Sequence, residues 1–385
     1  MQKRFLLYLL GFAHSLNHSL FLALPPLVPL MITQMGVSIK IISTFATIGY
    51  FIYGFGSIVG GILTNRLGEL KVLILCITLS GVSTIIICLS PNLLGFASGF
   101  LIMSIWASFY HPTAYSLISK VYKLNLGAAF GMHGAIGNVG QIFTPTISAF
   151  IGLYYGWQYS FLTFGILTIM AAIPLYKFHI EGLKEGEMDM DTFLNLFKRS
   201  TFWKLYAFNI FNGSVFRSVE FILPTFLVIV KSLKVEVAGY AMSIMLVAGI
   251  LGQLIGGRLA DKFGSYKMLI AESLGIAISL ILLIFIPSPI MGIALFVIIY
   301  GISMYASYPS FNYLAAFVSE PQIRGALYGF LFFMTFGCGS LSVFLTGLIS
   351  HEYGADVAIM VLIVIAILAL IVSIFLPKAR KVESN

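Results

Sequence analysis

Apolar residues run almost unbroken for twenty or more positions at a time, and short polar or Gly/Pro breaks separate the runs. The runs fall at 5–33, 41–64, 70–90, 92–118, 126–152 and 157–177, then at 201–229, 237–260, 267–287, 289–317, 324–350 and 354–377. Each is long enough for a helix to cross the hydrocarbon core of a bilayer, which takes about 20 residues. Barrel strands are excluded, because they alternate apolar and polar positions over about 10 residues, whereas these runs are continuously apolar. The pattern predicts an all-α membrane protein with twelve transmembrane helices, six and six. It divides the chain into a six-helix bundle over 1–177, a cytoplasmic linker over 178–200, a second six-helix bundle over 201–377 and a tail over 378–385. The linker is the only long polar stretch, with Glu181, Lys184, Glu185, Glu187, Asp189, Asp191, Lys198 and Arg199. Within it, residues 191–199 have the pattern of a short amphipathic helix at a membrane surface.

Composition narrows the solvent. Hydrophobic residues make up 59% of the 385-residue chain and charged residues 9%, against about 25% charged in a soluble domain. Such a chain cannot cover a water-facing surface, so its expected surroundings are a lipid bilayer. The net charge of +8 is no nucleic-acid signal, because the basic residues are scattered through the breaks. With the N-terminus in the cytoplasm, eighteen of the twenty-two Lys and Arg residues fall inside, and only Lys40, Lys231 and Lys234 fall outside, with Arg217 inside a helix. This bias predicts a multi-pass protein of the cell membrane with both termini cytoplasmic. Cys76, Cys88 and Cys338 lie in apolar runs without C-x-x-C spacing, and read as packing residues.

The chain also repeats itself. Gly56, Gly60, Gly61, Gly68 and Lys71 match Gly252, Gly256, Gly257, Gly264 and Lys267 at an offset of 196. Gly127-Ala128 and Gly131 match Gly325-Ala326 and Gly329 at 198, and Leu24-Pro25 matches Leu223-Pro224 at 199. The chain is therefore a duplicated six-helix unit.

The segment Gly61-x3-Asn65-Arg66-x-Gly68, between the second and third runs, resembles the cytoplasmic loop motif of the major facilitator superfamily, and Gly257-x3-Asp261-Lys262-x-Gly264 is its second copy. The resemblance implies the major facilitator fold, two six-helix bundles related by a pseudo-two-fold axis. It also implies secondary transport by alternating access, with these loop residues governing conformation. Glycine in the motif permits tight turns and close helix approach. The family usually has Asp where this chain has Asn65, which weakens a charge lock in the first half; Asp261 keeps it in the second. Within the superfamily, His14-x3-His18-x5-Leu24-Pro25-Pro26-Leu27 and Tyr110-His111-Pro112 resemble the fosmidomycin-resistance branch of exporters, except that His18 stands where that branch commonly has Asp.

Ionisable groups inside spans are costly and so point to function. Arg217 and Glu220 share one face of the seventh span at i, i+3, and predict an anion-recognising site with a proton-accepting neighbour, or else a self-neutralising pair. His14, Asn17 and His18 form a stripe at i, i+3, i+4 in the first span, and His18 aligns with Arg217 under the 199-residue offset. Equivalent polar places in both halves predict a binding site near the midplane. His111-Pro112 in the fourth span and Tyr308-Pro309 in the tenth also align, and proline there predicts a kink that frees backbone carbonyls.

The predicted substrate-binding residues are Arg217, His14, His18, His111, Asn17, Tyr308 and Asn312, with Glu220 and His18 for proton coupling. Tyr305, Tyr313, His133, Asn138 and Gln141 follow as second-rank residues; Tyr50, Tyr53 and Gln253 are undecided, and Glu272 reads as interfacial. No metal site is expected from His14, His18 and His111, since no carboxylate or thiolate accompanies them. Gly131, Gly134, Gly137 and Gly140 recur every third residue, predicting close helix packing, not a phosphate loop. No nucleotide motif is present, so no cofactor is expected.

The resulting expectation is a monomeric secondary transporter, not an enzyme, that exports a small anionic or polar organic molecule or drug against protons. A proton-independent facilitator or anion exchanger, and an intramembrane lipid-modifying enzyme, stand as alternatives.

Overall fold

The computed structural model describes residues 2–122, 126–178, 195, 197–318 and 324–378; the side chains of several residues within these ranges, Asn65, Asp261 and Arg324 among them, are not described. Most of the 178–200 linker and of the tail therefore lies outside the described residues, and so does most of the surface helix expected at 191–199. Phe197 is described, stacked edge-on against Phe330 at 5.3 Å, with its carbonyl accepting from Trp203 Nε1 at 2.8 Å.

Every regular element among the described residues is helical. In chain order these are α1 (Gln2–Leu22), α2 (Leu24–Met35), α3 (Ile39–Leu67), α4 (Glu69–Leu89), α5 (Leu93–Ala107), α6 (Tyr110–Val121), α7 (Leu126–Tyr154) and α8 (Trp157–Ala172), the last continued by a 3₁₀ turn, Ile173–Lys177. Then follow α9 (Ser200–Thr225), α10 (Val235–Phe263), α11 (Ser265–Phe285), α12 (Pro289–Phe317), α13 (Arg324–Phe336), α14 (Leu341–Tyr353) and α15 (Ala355–Ile374). Eleven spans among the described residues are long and apolar enough to cross a membrane. The twelfth predicted span is α7, 29 residues long, whose His133, Asn138, Gln141, Thr144 and Thr146 dilute its apolar character.

Three spans are broken helices. The first bends at Ala23 between α1 and α2, the fourth at Ser108–Phe109 between α5 and α6, and the eleventh through a 3₁₀ turn, Cys338–Ser340. The two aligned prolines behave differently. Pro112 is the third residue of α6, in the first turn, where a missing N–H costs nothing. Pro309 sits inside α12, which runs unbroken to Phe317. The expected kink thus becomes a helix start in the fourth span and leaves the tenth continuous.

The chain forms two compact units, one from Met1–Gly186 with Leu223–Ser243, the other from Glu187–Ile222 with Ile244–Asn385. In the first, α1 packs against α7, and α4 against α5 and α8. Leu6, Leu10, Val72, Tyr110, Leu117 and Leu175 fill part of its core. Ser243, in the first third of α10, ties that helix to α7: its hydroxyl donates to the Ile142 carbonyl at 2.6 Å and meets Thr146 at 2.8 Å. In the second unit α11 packs on α12 and α15, and Phe202, Phe208, Leu269, Phe311, Leu314 and Leu331 belong to one core cluster. Outward positions such as Phe12, Ile62, Leu254 and Val364 are exposed and apolar, as lipid-facing surfaces are.

The duplicated motif has one backbone. Gly68 closes α3 at φ 84°, ψ 151°, and Gly264 closes α10 at φ 90°, ψ 136°. Each amide caps the preceding helix, Gly68 to Thr64 at 2.9 Å and Gly264 to Ala260 at 2.8 Å. This region of φ, ψ is open essentially to glycine alone, so the turn explains both residues. Upstream, a Cβ on Gly60 would lie 2.8 Å from Phe109 Cα, and one on Gly256 2.7 Å from Ala306 Cα. The second and fourth spans, and likewise the eighth and tenth, therefore touch backbone to backbone.

Candidate functional site

The first unit gathers four histidines around α1. His14 and His18 lie one turn apart, with their Nε2 atoms 3.1 Å from each other. His111, at the start of α6, stands edge-on to His14 with ring centroids 5.0 Å apart, and 5.0 Å from His18. His133 of α7 stacks on His14, centroids 4.5 Å apart and planes within 1°. Gly137 makes room for this arrangement: a Cβ there would overlap the His14 ring. One ring nitrogen from each of His14, His18 and His111 lies within 4.8 Å of the others. The carboxylate or thiolate whose lack argued against a metal in the sequence is not part of this group, which consists of three imidazoles from two spans.

The hydrogen bonds around the cluster fix proton positions. Asn17 donates through Nδ2 to the Ala107 carbonyl at 3.0 Å, a carbonyl left over where α5 ends before the break. That orients the amide so that its Oδ1 accepts from Tyr53 Oη at 2.7 Å. Tyr53 oxygen then accepts from His111 Nε2 at 2.9 Å. In neutral His111 the lone pair accordingly sits on Nδ1. His14 Nδ1 faces the His133 carbonyl at 3.4 Å, an acceptor only, so the His14 lone pair sits on Nε2. The Tyr110 hydroxyl donates to the Leu10 carbonyl and meets His133 Nε2 at 3.2 Å.

The second unit holds the charged site on α9. Arg217 and Glu220 are both buried and joined at 2.5 Å, Nη1 to Oε2. The guanidinium lies over the Phe336 ring at 4.0 Å and the Phe216 ring at 4.6 Å. Phe216 in turn meets Tyr305 at 5.9 Å and Tyr308 at 5.8 Å, both edge-on. Tyr308 is thus within the aromatic surround of Arg217, whereas Asn312 lies one turn further along α12 at an exposed position. Asn209 and Asn212 tie α9 to its neighbours, Asn209 donating to the Leu331 carbonyl at 3.0 Å and Asn212 to Ser307 at 3.3 Å.

Two further carboxylates are buried. Glu272, expected at the interface, is buried on α11; its Oε1 accepts from Ser310 at 3.0 Å, and its Oε2 has no partner among the described residues. Glu69, directly after the motif's Gly68, is buried and paired with Lys120, and accepts from Ser116 at 2.8 Å. Of the other motif residues, Arg66 and Lys262 are exposed and Gly61 and Gly257 have open or ordinary surroundings. The side chains of Asn65 and Asp261, and with them the charge lock, lie outside the described residues.

A polytopic helical protein with buried polar sites on broken and continuous spans has the make-up of a membrane transporter. Residues 7–343 match the model of the Major Facilitator Superfamily, and the chain belongs to that family. It is similar to the "Probable hexose phosphate transport protein" of Chlamydia pneumoniae, 22% identical over 93% of this chain and 87% of the relative. It is also similar to the "Nitrite extrusion protein" of Bacillus subtilis, 25% identical over 59% of this chain and 58% of the relative. Its fold matches the crystal structure of a bacterial homolog of the human lysosomal transporter Spinster, with a TM-score of 0.84 and 16% identity over 97% of this chain and 96% of the other. The chain is a multi-pass membrane transporter of small molecules with the major facilitator fold, and its family is one of transporters, not enzymes.

Proposed function

We propose that this chain is a proton-coupled exporter of a small anionic or polar organic molecule, working by alternating access around Arg217. The observation that carries the reading is the buried Arg217–Glu220 pair in the seventh span, roofed by Phe336 and Phe216. A guanidinium is a planar, permanently charged fork suited to carboxylate or phosphate, and an isolated one in a bilayer costs about 2.5–3.5 kcal/mol even on insertion scales. An anionic substrate competes with Glu220 for it. Glu220, the carboxylate paired with Arg217, is the group assigned to carry the exchanged proton. Two relatives whose names carry anions, hexose phosphate and nitrite, support an anionic cargo.

His14, Asn17, His18 and His111 line the first unit's polar site, with His18 as a second proton carrier, and Tyr308 and Asn312 of α12 belong to the second unit's site around Arg217. The resemblance to the fosmidomycin-resistance branch rests on His14, His18, Leu24-Pro25-Pro26 and Tyr110-His111-Pro112, and it favours export. The protein acts as a monomer in the cell membrane with both termini cytoplasmic. The glycines of both loop motifs, with Asn65, Arg66, Asp261 and Lys262, govern the change of state.

A second reading is a proton-independent facilitator or anion exchanger, favoured by the 2.5 Å contact itself, in which Glu220 does no more than hold Arg217 in place. Thermal-shift screening of purified protein against small organic anions tests the site: stabilisation by a hit should vanish in Arg217→Ala. Reconstituted vesicles with an imposed pH gradient separate the two readings. Glu220→Gln should abolish gradient-driven transport and keep exchange; gradient-driven transport that survives intact would sink the coupling role.

A further inference from the structure

We infer that His14, His18 and His111 form a binding site for a divalent transition-metal ion of borderline softness, such as Zn²⁺, Ni²⁺ or Co²⁺, with an exchangeable fourth ligand. The inference goes beyond anion transport and stands without Arg217. It rests on the convergence of three imidazole nitrogens from two distant spans within 4.8 Å of one another.

Geometry and the proton placement of His14 and His111 agree, while His18, whose Nε2 donates to His14 Nε2, exchanges tautomer on taking the ion. In a tetrahedral site with metal–nitrogen bonds of about 2.0–2.1 Å, ligand nitrogens sit roughly 3.3 Å apart. The Nε2 atoms of His14 and His18 are already 3.1 Å apart. The remaining gap, no more than 4.8 Å between any two of the three ligand nitrogens, closes by a small rearrangement of the rings. Metal-bound histidines characteristically donate their other ring nitrogen to a carbonyl or a polar group, which fixes the tautomer. Here His14 Nδ1 faces the His133 carbonyl and His111 Nε2 donates to Tyr53, itself held by Asn17. Both bonds leave the lone pair on the nitrogen away from the outer partner. The chain Ala107–Asn17–Tyr53–His111 is then an outer shell, assembled from the carbonyl at the α5–α6 break and side chains of α1, α3 and α6.

The donor set names the ion. Three neutral imidazoles suit Zn²⁺, Cu²⁺, Ni²⁺ and Co²⁺, and not Mg²⁺, Ca²⁺ or Mn²⁺, which prefer oxygen. They bring no negative charge, so the ion keeps its full charge and draws a water or a small anion as fourth ligand. His133 stacks behind His14 and serves as its outer partner through the backbone carbonyl.

The test uses untagged full-length protein in detergent or nanodiscs, in a His179→Gln/His351→Gln background that leaves only the clustered histidines. After chelator treatment the protein is titrated with Co²⁺ alone, read by its visible ligand-field absorption, and then with Zn²⁺ in competition. Saturable uptake of about one Co²⁺, displaced by Zn²⁺ and unaffected by Mg²⁺, is expected. His14→Gln, His18→Gln and His111→Gln should each weaken it by more than about tenfold, and Tyr53→Phe, which keeps the ring and removes the acceptor of His111, by about tenfold. Failure of the background protein to bind Co²⁺, or binding unchanged in all three histidine variants, overturns the site. Because the readout is equilibrium binding, failure of the transport reading leaves this result unaltered.

Discussion

Arg217 shows how one residue can be both a liability and a function. Its charge is buried, matched by Glu220 at 2.5 Å and covered by two aromatic rings. Removing either partner leaves an uncompensated charge in low dielectric, at a cost of about 3–5 kcal/mol. Glu220→Leu and Arg217→Leu should therefore each lower the unfolding midpoint sharply in detergent. The Arg217→Leu/Glu220→Leu double variant should cost less than the worse single one, because no charge remains to be paired. Additive losses would show that the pair is not coupled. The pair was legible in sequence because its members are three residues apart on one helix, and the same holds for His14, Asn17 and His18. Tyr53, His133 and Phe336 were not, or only weakly. Their partners arrive from other spans, Tyr53 reaching Asn17 across 36 positions and His14 reaching the His133 carbonyl across 119. No local spacing encodes such meetings. For Glu272 the sequence offered only its distance along the chain from Lys267, and its burial against Ser310 depends on another span.

At the scale of elements, turns were more legible than helix breaks. The glycine motif foretold Gly68 and Gly264, and the structure gives them nearly one conformation, φ 84° and 90°. Gly68→Ala and Gly264→Ala should each destabilise by about 1–3 kcal/mol, the usual cost of a side chain forced into such backbone. Thermal unfolding of the two variants checks it; a loss confined to one would mean that the turns are not mechanically equivalent. A further pair, Gly156 at φ 116° and Gly354 at φ 100°, sits 198 residues apart, opening α8 and α15. It extends the repeat to the last helix of each half, and a lone glycine between apolar runs gave no motif to reveal it. The breaks were harder. Pro112 and Pro309 align, yet one begins a helix and the other lies inside one. What decides between them is whether another group takes the carbonyls that the break leaves over, and at Ala107 that group is Asn17 from another span. The break and the polar site therefore depend on each other: Asn17→Leu should lose both the Ala107 and Tyr53 bonds, costing about 1–3 kcal/mol for the acceptor left buried. An unfolding midpoint equal to that of the parent would show the carbonyl to be satisfied otherwise.

For the whole molecule, the decisive quantity is orientation, and the charge bias makes it testable. Eighteen basic residues fall on the side assigned to the cytoplasm against three on the other. The helix ends now locate the connections: Tyr155 lies between α7 and α8, Ile290 opens α12, Tyr353 closes α14, and Phe263 closes α10. All four are exposed, so a cysteine at any of them meets solvent or the headgroup layer without disturbing a core. Positive residues stay cytoplasmic because translocating them is unfavourable. Phe263, beside Lys262 and Lys267, should therefore face inward, and the Tyr155, Ile290 and Tyr353 ends outward. In intact cells, on a background with Cys76, Cys88 and Cys338 replaced by Ala, a membrane-impermeant maleimide should label Tyr155→Cys, Ile290→Cys and Tyr353→Cys. Phe263→Cys should react only after the cells are opened. The reverse pattern would invert the protein and overturn the placement of both termini in the cytoplasm. A mixed pattern among the three outer positions would contradict the even number of spans between them.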